Sequence, residues 1–274
     1  MGVLIGIFAA TVAMILSSGS ALLQAAGARR ATRARPVAVQ PRYLAGLGVD
    51  LMAWLCAVVA LRELPVFAVQ AVIGGAIALT SVAGAYLAGV RLPQTSRLAV
   101  GACLAGLVLV AGSAGDERPV LGSRTVDVVL LAAVLLLGVA VLVLRTGARA
   151  WPLALVAGMG FGGSALAVRA AHAHTGAGLD PALLLGQPST YLVVGFWMVG
   201  LVGYTTALGR GDVGAVTAVF LVSEVLVPGM VGIWLLGDPV RPGWWWVLVV
   251  GLAAALTGSV VLAKAPPLQS PRVR

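Results

Sequence analysis

A chain of 274 residues that is 60% apolar and 10% charged, with a mean hydropathy of +1.04, lacks the roughly 25% of charged residues that a water-soluble domain carries. Lipid is therefore the solvent for most of it, which excludes soluble enzymes and soluble binding modules. The net charge of +9, from 18 Lys plus Arg against 9 acids, points to loops facing anionic lipid rather than nucleic acid.

Apolar runs of about 18 to 25 residues predict nine transmembrane helices. They cover 3–26, 43–61, 65–89, 97–114, 126–144, 151–171, 189–208, 213–236 and 243–264. The first has no basic residue ahead of it and is too long for a signal-peptide core, so it is read as a span. The loop after it, GARRATRARPVAVQPR (27–42), holds Arg29, Arg30, Arg33, Arg35 and Arg42 and no acid, which places it in the cytoplasm and the N-terminus outside. The second span carries Asp50 about a third of the way in from its cytoplasmic end, with Gly46, Gly48 and Trp54 on the same helix. The third starts at Pro65 and offers Gln70, Thr80 and Ser81 as neutral polar groups. Cys56 and Cys103 lie in apolar runs of the second and fourth spans and imply no disulfide.

In the sixth span AGMGFGGSA (157–165) occupies the place that SSGSA (17–21) has in the first, and such small residues let helix backbones approach closely. His172, His174 and Asp180 follow in the next loop, too few for a metal site. The seventh span ends on Thr205 and Thr206. The eighth carries Thr217, Ser223 and, at its middle, Glu224, with Pro228 one turn later. Trp244, Trp245 and Trp246 open the ninth at the outer interface, and Tyr43 and Trp151 mark the inner one.

Alternating sides from an outside N-terminus puts 13 basic residues in inside segments and five outside: Arg62, Arg118, Arg124, Arg169 and Arg241. Glu63, Asp116, Glu117, Asp127, Asp180 and Asp238 are then outside acids, and Asp212 is the inside one. This separation predicts a multi-pass protein of the cell membrane with its C-terminus in the cytoplasm.

Laying 60–79 over 207–226 without gaps gives eight identities in twenty, where this composition yields roughly two by chance. The same offset of 147 residues lays span six on one, seven on two, eight on three and nine near four, leaving span five unpaired. The predicted fold is all-α: an inverted five-plus-four repeat, with spans one to five in 1–146 and spans six to nine plus a short cytoplasmic tail in 147–274. Such repeats place a transporter's site at their interface near the bilayer midplane.

At these residues the chain resembles the drug/metabolite transporter superfamily, and within it the NIPA-like branch of magnesium transporters. LPVFAVQA (64–71), with Pro65, resembles the stretch that begins that family's third helix, and GVRL (89–92) the one that ends it. ALGRGDVGAVTA (207–218) and LLGD, ending at Asp238, look like the equivalents in the second copy. The resemblance implies an EamA-like bundle of nine spans, an outside N-terminus and a divalent cation such as Mg²⁺ as substrate. Two positions depart from it: Val90 stands where the family has an acid, and Trp54 where its second-helix glutamate falls.

Asp50 and Glu224 are the acids expected within the hydrocarbon slab. A carboxylate at a helix centre costs ~2.5 to 3.5 kcal/mol to insert, so both are expected to face the bundle interior. Pro228 has no N–H, which deprives the carbonyl of Glu224 of its helical partner beside Ser223 and Gly229. A helix broken there would present a carboxylate and a backbone oxygen at one depth. The predicted substrate or ion-binding set is Glu224, Asp50, Ser223, Gln70 and Thr217, with Pro228 as the helix break. Nucleophile elbows, phosphate loops and nucleotide fingerprints are missing, so neither an enzyme nor a cofactor is expected. The expected function is a secondary transporter or facilitator for a small ion or solute. The alternatives are a proton-coupled exporter of a small organic metabolite or amine, and a non-transporting scaffold whose acids glue helices together. Expected partners are the bilayer and the solute, with a homodimer left open.

Overall fold

The computed structural model describes residues 2–28, 40–87, 89–115, 124–147, 149–175, 186–211 and 213–265. Among these, ten helices build nine segments long and apolar enough to cross a bilayer, and the sole bridge of β type pairs Ala114 with Val240. In chain order they are α1 Gly2–Ala28, α2 Pro41–Glu63, α3 Val66–Gly74, α4 Ala76–Leu87, α5 Gln94–Gly112, α6 Arg124–Leu144, α7 Ala150–Thr175, α8 Pro188–Leu208, α9 Val213–Leu235 and α10 Trp245–Ala263. The chain is a polytopic, all-helical membrane protein among its described residues, and each of the nine apolar segments follows a predicted span to within a few residues. Most of the basic 27–42 loop, the acids Asp116, Glu117, Asp180 and Asp212, and the side chains of His172 and His174 lie outside the described residues.

Prolines set several boundaries. Pro41 and Pro188 occupy the first turns of α2 and α8, where a missing N–H costs nothing. Pro65 forces the preceding Leu64 into an extended conformation (φ −132°, ψ 150°), which ends α2 and starts α3.

The structure corrects one local expectation. Span eight is a single helix through Pro228, whereas span three is the interrupted one, split into α3 and α4 at Gly75. A proline inside a membrane helix is tolerated where neighbouring helices cover the freed carbonyl. Here α7 does so: a Cβ added to Gly162 would stand 2.6 Å from the carbonyl oxygen of Glu224. At Gly75 the constraint is packing, since a Cβ would come 3.0 Å from Val72 O and 3.1 Å from Met14 Sδ.

Three helix pairs dominate the bundle: α1 on α2, α7 on α8, and α5 on α10. α9 bridges them by packing on α7 and α3, and α6 leans on α7 and α8. Glycines make the close crossings. A Cβ on Gly160 would lie 2.6 Å from the backbone N of Gly200, and one on Gly258 2.5 Å from Ala99 O. The Gly-rich run in the sixth span is thus a packing face. α7 is the most enclosed span, while α6 turns Leu131, Leu135, Leu136, Val139 and Val143 outward, the surface lipid covers.

Candidate functional site

Asp50 and Glu224 arrive from helices far apart in sequence and line one cavity of about 170 Å³. α2 supplies Asp50 and Trp54, α3 supplies Gln70, and α9 supplies Glu224. Ser17 from α1, Phe161 and Ser164 from α7, and Trp197 from α8 complete the polar and aromatic part of the wall. No Lys, Arg or His is among the lining residues, so the two carboxylates face each other's space without a basic counterpart.

The carboxylates differ in their support. Ser20 Oγ donates to Asp50 Oδ1 at 3.2 Å and itself accepts from Gln24 Nε2 at 2.7 Å, so Asp50 is anchored to α1. That anchor lies within the first half of the chain, not across the two halves. Glu224 and Gln70, among the described residues, have no side-chain hydrogen-bond or ion-pair partner. Their polar atoms are presented to the cavity.

The other two residues of the predicted set are used differently. Ser223 is buried, and its hydroxyl donates to its own helix at Val219 O and Phe220 O, both 2.9 Å away, on the face of α9 that borders a separate apolar groove. Thr217 hydrogen-bonds Tyr204 Oη at 3.1 Å. From there a row of rings runs to the cavity wall: Tyr204 against Phe220 (4.6 Å between centroids), Phe220 against Phe161 (5.7 Å) and Phe161 against Trp197 (6.3 Å). Thr217 therefore braces the aromatic wall from behind. Thr205 and Thr206 bond their own backbone at Leu201 O and Val202 O, while Thr80 donates to Ser18 Oγ.

A buried ion pair adjoins the cavity. Arg169 Nε lies 3.0 Å from Asp238 Oδ1, with both side chains almost wholly enclosed. Arg169 Nη1 also donates to Leu61 O at 2.8 Å, and Asp238 Oδ2 accepts from Val66 N at 2.7 Å. The reason lies in Pro65. The carbonyl of Leu61 would normally accept from the N–H four residues on, which proline lacks. Val66 N–H opens α3 and has no acceptor within that helix. The guanidinium and the carboxylate satisfy those two orphans and each other, and the carboxylate sits at a helix N-terminus, which favours negative charge. Gly237, at φ +69°, makes the turn that delivers Asp238. Leu61 and Val168 are themselves cavity-lining, so the clamp stands directly at that end of the cavity. Tallied as loop charges from sequence, Arg169 and Asp238 are in fact interior. The signal was present in the two backbone groups that Pro65 orphans.

Among the described residues no group of three or more His, Cys, Asp or Glu side chains is gathered as a metal site. What the arrangement can do is hold one positive charge against two carboxylates in a space otherwise walled by aromatic, aliphatic and neutral polar groups. Comparison with protein-family models, with curated proteins and with solved structures finds no match.

Proposed function

We propose that this chain is a secondary transporter or facilitator of the drug/metabolite transporter type, moving a small solute through the cavity that holds Glu224 and Asp50. One observation carries the reading: two acids from distant helices, Glu224 half-buried and Asp50 exposed toward the bilayer side, line one cavity that has no basic residue among its described lining. Acids kept only as helix glue bond a neighbouring helix, and the Glu224 side chain bonds none among the described residues. A cationic or protonatable solute completes the charge.

The inverted five-plus-four repeat is part of the same proposal. The 147-residue offset lays Ser17 on Ser164 and Asp50 on Trp197, and all four line the cavity. Spans one and two pair as six and seven do, and spans four and nine, the equivalent helices of the two halves, pack on each other. We read the protein as lying in the cell membrane with its N-terminus outside.

Mg²⁺, which the family resemblance implies, keeps several waters and needs only one or two carboxylates. The remaining wall favours an organic cation: Trp54 stands where the NIPA-like glutamate belongs, and Trp197 and Phe161 add further rings. The test is uptake into proteoliposomes by Glu224→Gln. We expect uptake to fall by at least about tenfold, with membrane abundance and thermal melting unchanged. Lost abundance instead assigns Glu224 to helix packing and removes the transport reading.

A further inference from the structure

Beside the cavity, an apolar groove of about 350 Å³ runs between α2 and α8. Leu47, Leu51 and Trp54 form one helical stripe on α2, and Val193, Val194 and Trp197 face them from α8. Asp50 is its polar lining residue. Asp50, Trp54 and Trp197 line both the groove and the cavity, so the two spaces meet at these three side chains. α2 and α8 do not form a packed pair, and Leu51 and Val194 at the groove's rim are 59% and 61% exposed. In a chain of nine apolar spans that exposure is to acyl chains. The other end of the cavity, at Leu61 and Val168, adjoins the buried Arg169–Asp238 clamp.

We infer that the cavity is loaded sideways from the bilayer through the α2–α8 groove, and that its substrate is an amphipathic ammonium whose apolar tail lies in the groove while its cationic head reaches Asp50 and Glu224. The inference rests on the transport reading above and names its substrate class and route.

Charge complementarity selects the occupant. The carboxylates call for a cation, and the two indole rings where groove and cavity meet attract an organic ammonium through their π faces. A hydrated metal ion could be held by the two carboxylates alone but would leave the apolar groove without an occupant, whereas an ammonium with a tail fills both. A tail gains nothing by leaving lipid for an equally apolar groove. What the groove provides is access, because an amphiphile partitioned into the bilayer is concentrated at its mouth. A neutral lipid chain would fill the apolar part and leave Asp50 uncompensated.

The experiment measures uptake by the full-length chain in proteoliposomes of three probes: dodecyltrimethylammonium below its micellar concentration, tetramethylammonium and Mg²⁺, under a proton gradient of either sign. Quaternary ammonium ions cannot shed a proton to cross lipid unaided, so background leak is low. At equal aqueous concentration the long-chain probe is expected to enter at least about tenfold faster than the short one. Val194→Trp, which fills the mouth from a lipid-facing position, and Glu224→Gln should each reduce its uptake by about tenfold or more. Equal uptake of the two ammonium ions, or long-chain uptake unchanged in Val194→Trp, overturns the lateral route and leaves the transporter reading standing. Uptake of Mg²⁺ alone overturns the ammonium substrate and also leaves that reading. No uptake of any probe overturns both. Leu51→Trp, which fills the same mouth from the α2 side, decides the route should Val194→Trp fail to fold.

Discussion

Asp238 shows why a charge beside a membrane span need not be a loop charge. It binds a guanidinium and a helix-opening N–H at once, and Arg169 returns a hydrogen bond to a carbonyl that Pro65 left unpaired. Removing one partner of such a buried pair strands the other, at a typical loss of about 3–5 kcal/mol. Asp238→Ala is therefore expected to melt well below the wild type in detergent. Because apolar replacement of both members of a buried pair is often close to neutral, Arg169→Met combined with Asp238→Leu should recover much of that loss. A double variant as unstable as the single one would show that the backbone hydrogen bonds, and not the stranded charge, dominate. Residue type alone singled out Asp50, Gln70 and Glu224, which line one cavity, but the expectation that lipid would turn every such group inward fails for Asp50, which is exposed. It misjudged Ser223 and Thr217, because a hydroxyl can satisfy itself on its own helix or on a neighbour, and its presence at cavity depth says little about where it points.

At the scale of elements, glycine and proline act through what stands against them. Gly258 and Gly101 are both helical glycines, yet a Cβ on the first would meet Ala99 O at 2.5 Å and one on the second meets nothing within 4 Å. Gly258→Leu is expected to separate α5 from α10 and abolish membrane accumulation. Gly101→Ala should leave accumulation intact and raise stability by about 0.5–1 kcal/mol, from helix propensity alone. Accumulation assays with a fluorescent fusion check both, and equal behaviour of the two variants would remove the packing argument. The same reasoning explains the misplaced helix break. Pro228 is the stronger breaker on paper, but α7 packs Gly162 against its ring and against Glu224 O, and the helix runs on. The weaker signal was the Gly74–Gly75 pair, a known kind of site for helix interruption, and Met14 and Leu107 pack so closely on Gly75 that no side chain fits there.

For the whole molecule, the proposed topology of nine crossings puts the two ends of the polypeptide on opposite sides of the membrane, with 27–42 in the cytoplasm. Single cysteines introduced at Gly2 and at Ser270, in a background lacking Cys56 and Cys103, should react with an impermeant thiol reagent from opposite faces, Gly2 from outside. Reaction from the same face would refute the orientation and the inverted repeat together. Membrane class and span number were legible because each helix satisfies its own backbone hydrogen bonds in lipid, so length and hydropathy suffice to find it. The rotation of each helix about its axis was not legible. In spans apolar on every side, one face differs from another by a few polar atoms, and which face turns inward is settled by glycine crossings and by the neighbours that meet there. Sequence by itself therefore determined a helical membrane protein with nine apolar spans and two acids at bilayer depth, of which the structure half-buries Glu224 and leaves Asp50 exposed. Only the tertiary packing decided that those acids share one cavity, that Arg169 and Asp238 clamp its end, and that a lipid-facing groove opens beside Asp50.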